Sequence, residues 1–516
     1  MELNRLTIKQ ASDKLAKGEI SSVELTKACL ERIKQVDNKI KACLTVCEKE
    51  AMKMASDADE RSKKGEKGDL LGIPCLIKDN ILTKGINTTA ASRILENYIA
   101  PYDATVIKKI KAAGAVILGK TNLDEFAHGA STENSAFFPT HNPWNLDCVP
   151  GGSSGGSAAA VVADMCIFAL GTDTGGSIRQ PASFCGVVGL KPSYGRSSRF
   201  GLIAMTSSTD VPGTLTKTAG DAAIVLKVIA GHDKKDATTA PTPTPNPSPA
   251  ASLPATLLGA GAGEGGLDGL RVGVPKEYFI DGMDKGVEQA VREAIKKLAK
   301  LRAEVIEVSL PYTKYAVPVY YIITPSEISS NLARFDGIKY GLAPPPASLR
   351  SAPSPAHTSR ERGGSAAKTL MEVYTKTRGK GFGPEAKRRI MIGTYALSAG
   401  YFDAYYLQAQ KVRTKIIEDF DRVFSQVDVL ATPTSPNVAF KIGAKSNDPL
   451  EMYLEDIFVS GASLAGLPAI SVPCGMVSNL PVGLQLIGKR FAEATIFQIA
   501  RSYEQATEWH QQKPKL

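Results

Sequence analysis

The chain has 516 residues, 43% hydrophobic and 22% charged, a composition that is ordinary for a globular protein and supports a sizeable core. Its formal net charge of +10 permits contact with nucleic acid, but the lysines are scattered and form no dense basic tract with interleaved aromatic residues, which argues against RNA binding as the main role. No segment approaches the roughly 20 apolar residues of a membrane span, so a membrane protein is not expected.

Strands alternate with helices over the first 230 residues, which is typical of a mixed or parallel sheet with helices on both faces. Ser21 and Glu24 form a capping-box pattern at the start of one helix. Helices are predicted within 1–67, including one at about 42–63, and at 103–112 and 157–164, and the segment 122–134 is predicted as a helix that leads into a polar loop at 131–134. Buried strands are predicted at 70–80, 115–118 and 166–170.

Two low-complexity stretches interrupt this pattern, one rich in Pro, Thr and Gly at about 238–266 and one rich in Pro, Ala and Ser at about 343–366. Because strand and helix patterns continue past both, we expect insertions in a single large α/β domain over 1–516, with a central mixed sheet covered by helices on both faces. The later helices are predicted at about 284–302, 384–422 and 493–505, and the later strands at 270–274, 304–308, 427–430, 469–472 and 483–486.

Cysteine and histidine usage gives no metal signature. The eight cysteines form no C-x-x-C pair, most lie in apolar runs, and none is at zinc-ligand spacing with one of the five histidines. They are predicted to be small buried hydrophobic residues in a reducing compartment. With no signal peptide expected at the N-terminus, the predicted location is the cytoplasm, or an organellar matrix or stroma.

The stretch from Pro150 to Pro192 carries two serines flanked by glycines, Ser153 and Ser177. A serine nucleophile needs an exposed hydroxyl and backbone amides directed at the developing oxyanion, and glycines allow the tight turns that supply them. A flexible Gly/Ser linker is the alternative interpretation. The stretch contains neither the phosphate-binding G-x-x-x-x-G-K-[ST] motif nor the G-x-S-x-G turn of α/β hydrolases.

Lys78 stands where the apolar run Leu70–Ile77 ends in polar residues. The simpler interpretation is a strand end that meets water. A desolvated lysine beside serines would instead be neutral and able to act as a base.

Taken together, Lys78, Ser153 and Ser177 resemble the amidase signature family, whose members use a Ser–cis-Ser–Lys triad. The resemblance is carried by Gly151-Gly-Ser153-Ser-Gly-Gly156, by Gly175-Gly-Ser177-Ile-Arg-Gln-Pro181 and by Phe184 to Pro192. Within the family the chain is most similar to the glutamine-hydrolysing A subunits of tRNA-dependent amidotransferases, on the stretches 124–134, 331–337, 387–395 and 465–475.

The resemblance implies the amidase signature fold and a mechanism for glutamine hydrolysis. Ser177 would be the nucleophile, Ser153 on a cis peptide would relay the proton, and neutral Lys78 would be the base. The oxyanion hole would be formed by the backbone amides of Thr174, Gly175, Gly176 and Ser177. No metal takes part in this scheme.

The resemblance also implies a pocket for a free amino acid. Arg389 would bind the carboxylate of glutamine, Asp456 its ammonium group, and Tyr320 would pack against the ligand. Arg388 is adjacent to Arg389 in the sequence, so which of the two arginines binds the carboxylate stays open.

Released ammonia would pass to a B subunit that activates Glu-tRNA(Gln) with ATP and Mg²⁺ and binds the tRNA, and a small C subunit would complete the complex. No cofactor is expected on this chain, and no membrane contact. A stand-alone amidase that acts on small amides would use the same triad without needing the Arg389 and Asp456 charges. A non-catalytic scaffold with the same fold is a further alternative.

Overall fold

A mixed sheet of eleven strands runs through the part of the chain that the computed structural model describes, residues 2–240, 266–342 and 369–516. Across the sheet the strand order is β1-β3-β2-β4-β6-β5-β10-β11-β9-β7-β8. In chain order the strands are β1 (Cys43–Val46), β2 (Pro74–Lys78), β3 (Val116–Thr121), β4 (Phe168–Asp173), β5 (Val188–Lys191), β6 (Val211–Thr216), β7 (Arg271–Pro275), β8 (Glu304–Val308), β9 (Val429–Pro433), β10 (Ala469–Val477) and β11 (Leu480–Gly488).

Both faces of the sheet are covered at β2, β3 and β4. Successive side chains of a strand point to opposite faces, and every residue of these three strands is buried. The helices are α1 (Ile8–Ala16), α2 (Ser22–Ile40), α3 (Glu48–Lys63), α4 (Thr105–Ala112), α5 (Gly155–Val162), α6 (Arg179–Cys185), α7 (Ala219–Ile229), α8 (Lys285–Lys300), α9 (Ala316–Leu332), α10 (Leu370–Gly381), α11 (Pro384–Ala396), α12 (Gln408–Phe424), α13 (Pro449–Leu454), α14 (Ser460–Leu464) and α15 (Glu493–Gln505). The predicted α/β class with a mixed sheet is confirmed.

Local signals explain several boundaries. The predicted capping box is confirmed: the Ser21 hydroxyl accepts the Glu24 amide at 3.1 Å, and the Glu24 carboxylate accepts the Ser21 amide at 2.7 Å. The bounds of β8 and α15 match the predicted 304–308 and 493–505. All eight cysteines are free and buried, as predicted.

One helix prediction is wrong, and two others are wrong in part of their extent. The helix predicted from 42 begins only at Glu48, because Cys43–Val46 pairs with β3 as a strand at one edge of the sheet. The segment 122–134 contains only a 3₁₀ turn, with Phe126 and Ala127 in the left-handed region at φ 50° and 65°. The helix predicted over 384–422 is interrupted between α11 and α12, where a short π-helix, Asp403–Leu407, leads into α12.

The sheet order places the candidate site. Strands β2 and β4 are parallel neighbours, with Cys75 opposite Phe168 and Ile77 opposite Leu170. Their carboxyl ends therefore lie side by side at the same end of the strands, a common position for sites in α/β proteins. Lys78 ends β2 there, and the turn that carries Ser177 follows β4.

The predicted insertion at about 343–366 lies wholly outside the described residues, and of the one at about 238–266 only residues 238–240 and 266 are described. No helix among the described residues is long and apolar enough to cross a membrane.

Candidate active site

Lys78 is fully buried, so the interpretation as a strand end that meets water is wrong. Its side-chain amine lies 2.8 Å from the hydroxyl oxygens of both Ser153 and Ser154. It also contacts the side chain of Thr172 at 3.0 Å and the backbone carbonyl of Thr172 at 3.3 Å. The amine is thus surrounded by hydroxyl and carbonyl oxygens, with no carboxylate in direct contact among the described residues.

Burial lowers the pKa of Lys78 to about 7, although the carboxylates of Asp124, Asp173 and Asp210 oppose that shift. A buried ammonium loses its hydration, and neutral oxygens compensate for it only in part. At neutral pH a large fraction of Lys78 is therefore the free amine, which can accept a proton.

Ser153 lies on a loop whose close packing requires glycine beside it. The peptide bond between Gly152 and Ser153 is cis. A Cβ atom on Gly152 would lie 2.2 Å from the Asp124 carboxylate, so a side chain there is excluded. The Gly152 amide donates to the side-chain carbonyl of Gln180 at 2.9 Å, and Thr132 donates to the Gly151 carbonyl at 2.7 Å.

Ser177 lies in the turn between β4 and α6, and 7% of it is exposed. The backbone amide of Ser154 donates to the carbonyl of Ser177 at 3.0 Å, which joins the two serine loops directly. A buried carboxylate shapes the turn, since Asp173 accepts the amides of Gly176 at 3.0 Å and Ile178 at 3.1 Å. Of the four predicted oxyanion-hole amides, that of Gly176 is therefore already engaged.

Thr174 and Arg179 hold this turn at its two ends. The Thr174 hydroxyl donates to Asp210 at 2.6 Å. The Arg179 guanidinium pairs with Asp173 at 3.0 Å and donates to the Gln485 side chain at 2.6 Å, and both partners of the ion pair are fully buried. Charges that are paired and hydrogen-bonded in this way lose much of their stabilisation if one partner is removed.

Arg389 and Arg388 are distinguished by burial. Arg389 is 2% exposed, donates to Glu385 at 2.7 Å, and places its guanidinium 4.9 Å from the centre of the Tyr321 ring and 5.1 Å from that of Tyr453. One of its terminal nitrogens, Nη1, has no hydrogen-bond partner among the described residues. The Arg388 side chain is 42% exposed and pairs with Glu385 from the solvent side.

Asp456 contacts the hydroxyl group of Tyr321, whose ring lies against Arg389. Its carboxylate accepts the Tyr321 hydroxyl at 2.7 Å, and burial raises the pKa of Asp456 to about 7 while Tyr321 and Arg389 act against the shift. Tyr321 therefore contacts both a buried guanidinium and a buried carboxyl group. One aromatic side chain of the pocket thus lies against both an arginine and a carboxyl group that is ionised above a pH of about 7.

Tyr320 connects this pocket to the serine turn. It is buried, and a Cβ atom on Gly175 would lie 2.4 Å from its phenol ring. The sequence-predicted residues Lys78, Ser153, Ser177 and Tyr320 thus lie around one region, with Arg389 and Asp456 joined to it through Tyr321, whose ring packs edge-on against Tyr320 at 5.0 Å.

Sequence reasoning missed several residues of the site, among them Tyr321, Glu385, Tyr453 and His128. Glu385 precedes Arg389 by one helical turn, a spacing that could have identified it as its partner. Tyr453 donates to Glu385 at 3.0 Å, and no local signal marks this contact. His128 is fully buried, and neither ring nitrogen has a partner among the residues described.

Comparison with known proteins agrees with the resemblance seen in the motifs. The family model described as Amidase matches residues 24–497. The A subunit of glutamyl-tRNA(Gln) amidotransferase from Carboxydothermus hydrogenoformans is 54% identical over 517 residues, covering 100% of both chains, and that from Thermodesulfovibrio yellowstonii is 53% identical over the same extent.

Two solved structures are similar over nearly the whole chain. The crystal structure of the same kind of amidotransferase chain from Thermotoga maritima has 45% identity and a TM-score of 0.76, covering 98% of this chain and 96% of that one. The native peptide amidase of Stenotrophomonas maltophilia has 30% identity and a TM-score of 0.78, with 97% of each chain covered.

Proposed function

Since the chain belongs to the amidase family, we propose that it is the glutamine-hydrolysing subunit of a tRNA-dependent amidotransferase. It would release ammonia from glutamine for the conversion of Glu-tRNA(Gln) to Gln-tRNA(Gln). Relatives that are 52–54% identical over nearly their full length are named as the A subunit of glutamyl-tRNA(Gln) amidotransferase, which supports this role.

The observation that carries the choice of substrate is the position of Tyr321 between Arg389 and Asp456. A free amino acid presents a carboxylate and an ammonium group, and the two buried side chains offer a charge for each. A guanidinium suits a carboxylate because it donates two parallel hydrogen bonds. The Nη1 of Arg389, which has no hydrogen-bond partner among the described residues, is available for this contact.

In the proposed mechanism the Ser177 hydroxyl oxygen attacks the side-chain amide carbonyl of glutamine. Its proton passes to Ser153 while the Ser153 proton passes to the neutral amine of Lys78, across the 2.8 Å contact. Backbone amides of the 174–177 turn would stabilise the oxyanion, with Thr174, Gly175 and Ser177 free of the Asp173 contact that engages Gly176.

In the second half of the mechanism the protons pass along the relay in the reverse direction. Lys78 gives its proton through Ser153 to the departing nitrogen, so that ammonia leaves and a glutamyl ester remains on Ser177. Water, deprotonated through the same relay, then attacks the ester and releases glutamate. The chain supplies the hydroxyls and the amine, and each proton that is taken up is returned.

The ammonia is proposed to be used on a partner. A B subunit would bind Glu-tRNA(Gln), ATP and Mg²⁺, and a small C subunit would complete the complex. The location consistent with this role is the cytoplasm, or an organellar matrix or stroma.

The test is co-purification of the full chain with a B-subunit homologue, followed by a glutaminase assay with and without tRNA and ATP. The proposal predicts ammonia release from glutamine that depends on the complex. Rapid hydrolysis of many simple amides by the chain alone would favour a stand-alone amidase instead. No hydrolysis and no labelling of Ser177 by an electrophilic glutamine analogue would favour a scaffold.

A further inference from the structure

Glu125 is a buried carboxylate in the segment after β3 that the proposed mechanism does not use. It is 1% exposed, and its carboxylate accepts the backbone amide of Gly383 at 2.8 Å and the hydroxyl of Ser92. The same Ser92 hydroxyl lies 3.2 Å from the carbonyl of Gly381, so its one proton is shared between the two acceptors. Glu125 and Ser92 thus hold the three residues that lead into α11.

Gly383 is the N-cap residue of α11, and it has no side chain with which to cap the helix. The first amides of a helix need acceptors, and a negative charge at this end is favoured by the helix dipole. Glu125 supplies the acceptor from 258 residues away in the sequence, and burial raises the pKa of its carboxyl to about 7, so its negative charge is complete only above that pH. A Cβ atom on Gly383 would lie 2.6 Å from the Glu125 carboxylate, so glycine permits the approach.

The helix that Glu125 holds carries Glu385 and Arg389. Glu385 fixes the Arg389 guanidinium at 2.7 Å, and both residues lie within the first two turns after Gly383. A shift of the helix start would therefore move the guanidinium. Glu385 orients the arginine side chain, whereas Glu125 fixes the backbone that carries both.

The residue before Glu125 contacts the other half of the site. Asp124 accepts the amides of Thr132 at 2.8 Å and Asn134 at 3.1 Å, and its carboxylate leaves no room for a side chain on Gly152. The carboxylates of two adjacent residues thus contact two different parts of the site. Asp124 lies against the loop that carries Ser153, and Glu125 against the helix that carries Arg389.

We propose that Glu125 is a positioning residue for glutamine: it fixes the start of α11 so that Arg389 meets the α-carboxylate while the side-chain amide lies at Ser177. The inference rests on the proposed function and adds a residue that does not touch the substrate. It predicts an effect on binding of a substrate that has a carboxylate, and no effect on the chemical step.

The test compares Glu125→Ala and Glu125→Asp with the wild-type chain, each purified with its partner subunits. For Glu125→Ala we expect KM for glutamine to rise roughly 10-fold or more with kcat within about threefold of wild type. Glu125→Asp keeps the carboxyl group but retracts it by one methylene, so its KM should lie between those of the wild type and Glu125→Ala. Hydrolysis of butyramide, which has no carboxylate, should be unchanged in both variants.

Glu504 provides a matched control. It is also a buried carboxylate that caps a helix, accepting the amide of Ala219 at 2.9 Å at the start of α7, and α7 carries no site residue. Glu504→Ala should lower the melting temperature, as Glu125→Ala should, but leave KM for glutamine unchanged. A KM that rises equally in both variants would reduce Glu125 to a structural role.

Other outcomes separate the proposed function from the role of Glu125. If the wild-type complex does not hydrolyse glutamine, the proposed function fails. If it does, and Glu125→Ala keeps the wild-type KM or loses butyramide and glutamine hydrolysis alike, the inference about Glu125 is wrong. If Glu125→Ala does not fold, Glu125→Asp decides, because an unchanged KM in that variant contradicts positioning.

Discussion

Lys78 and Ser153 are 75 residues apart in the chain, yet the Lys78 amine and the Ser153 hydroxyl oxygen lie 2.8 Å apart in the fold. Parallel pairing of β2 with β4 brings the end of β2 to the turn after β4, and the Ser154 amide, which donates to the Ser177 carbonyl at 3.0 Å, joins the loop of Ser153 to that turn. The amine at this position is buried among hydroxyls, which is the environment that a neutral lysine base requires.

Replacing Lys78 by alanine should remove the proposed base. We expect kcat for glutamine hydrolysis to fall by about 10²–10⁴-fold, the usual contribution of a general base. Lys191 is the control, since it is also fully buried, its pKa is lowered to about 7 by burial, and its amine donates to the Leu467 carbonyl at 2.7 Å. Lys191→Ala should keep most of its kcat, and equal losses in both variants would argue against the base role.

The pH dependence of kcat should report the ionisation of Lys78. The free amine is the active form and its pKa is lowered to about 7, so kcat should increase as the pH rises through about 7 and then level off. Asp456, whose pKa is raised to about 7, must be ionised to bind ammonium, so KM should fall over the same range. A kcat that is flat between about pH 6 and about pH 9 would contradict a lysine base with this pKa.

The neighbouring arginines offer a paired substitution. Arg389→Lys keeps the charge but loses the bidentate hydrogen-bond geometry. Because a hydrogen bond to a charged group contributes about 1.5–3 kcal/mol, KM for glutamine should rise roughly 10- to 100-fold. Arg388→Lys, at a partly exposed position, should change KM little. Steady-state kinetics on both variants resolves which arginine binds the carboxylate, and the reverse pattern would assign it to Arg388.

Removal of Arg179 should destabilise the fold around the turn that carries Ser177. Arg179→Met would leave the fully buried carboxylate of Asp173 without its partner, at an expected cost of about 3–5 kcal/mol in the free energy of unfolding. The exposed pair of Lys296 with Glu293 is the comparison, where Lys296→Ala should change the free energy of unfolding little. Urea denaturation measures both, and a similar small loss would show that the buried network contributes little.

Elements with a clear local signal could be predicted from the sequence. The long amphipathic α8 and the capped α2 show helical periodicity, and β8 is a short run rich in β-branched residues. The wrong predictions fall in segments whose backbone conformation is determined by tertiary contacts. The edge strand Cys43–Val46 forms only by pairing with β3, and the left-handed backbone at Phe126 has no marker in its residue type.

The residues of the candidate site divide in the same way into those with a local sequence signal and those without one. The three catalytic candidates could be named because each lies in a motif, and the strand order then brings Lys78 to the turn that carries Ser177. Tyr321, Tyr453 and Glu125 could not be named, because each acts through a contact with a distant part of the chain. Such contacts depend on packing, which periodicity and spacing do not encode.

Substitution of Ser177 by alanine in the assembled complex is the most direct test of the central claim. The account predicts that glutamine hydrolysis falls at least about 10³-fold while amidation of Glu-tRNA(Gln) with added ammonium salt stays close to the wild-type rate. Retained glutamine hydrolysis, or loss of the ammonia-dependent reaction together with the glutamine-dependent one, would contradict Ser177 as the nucleophile.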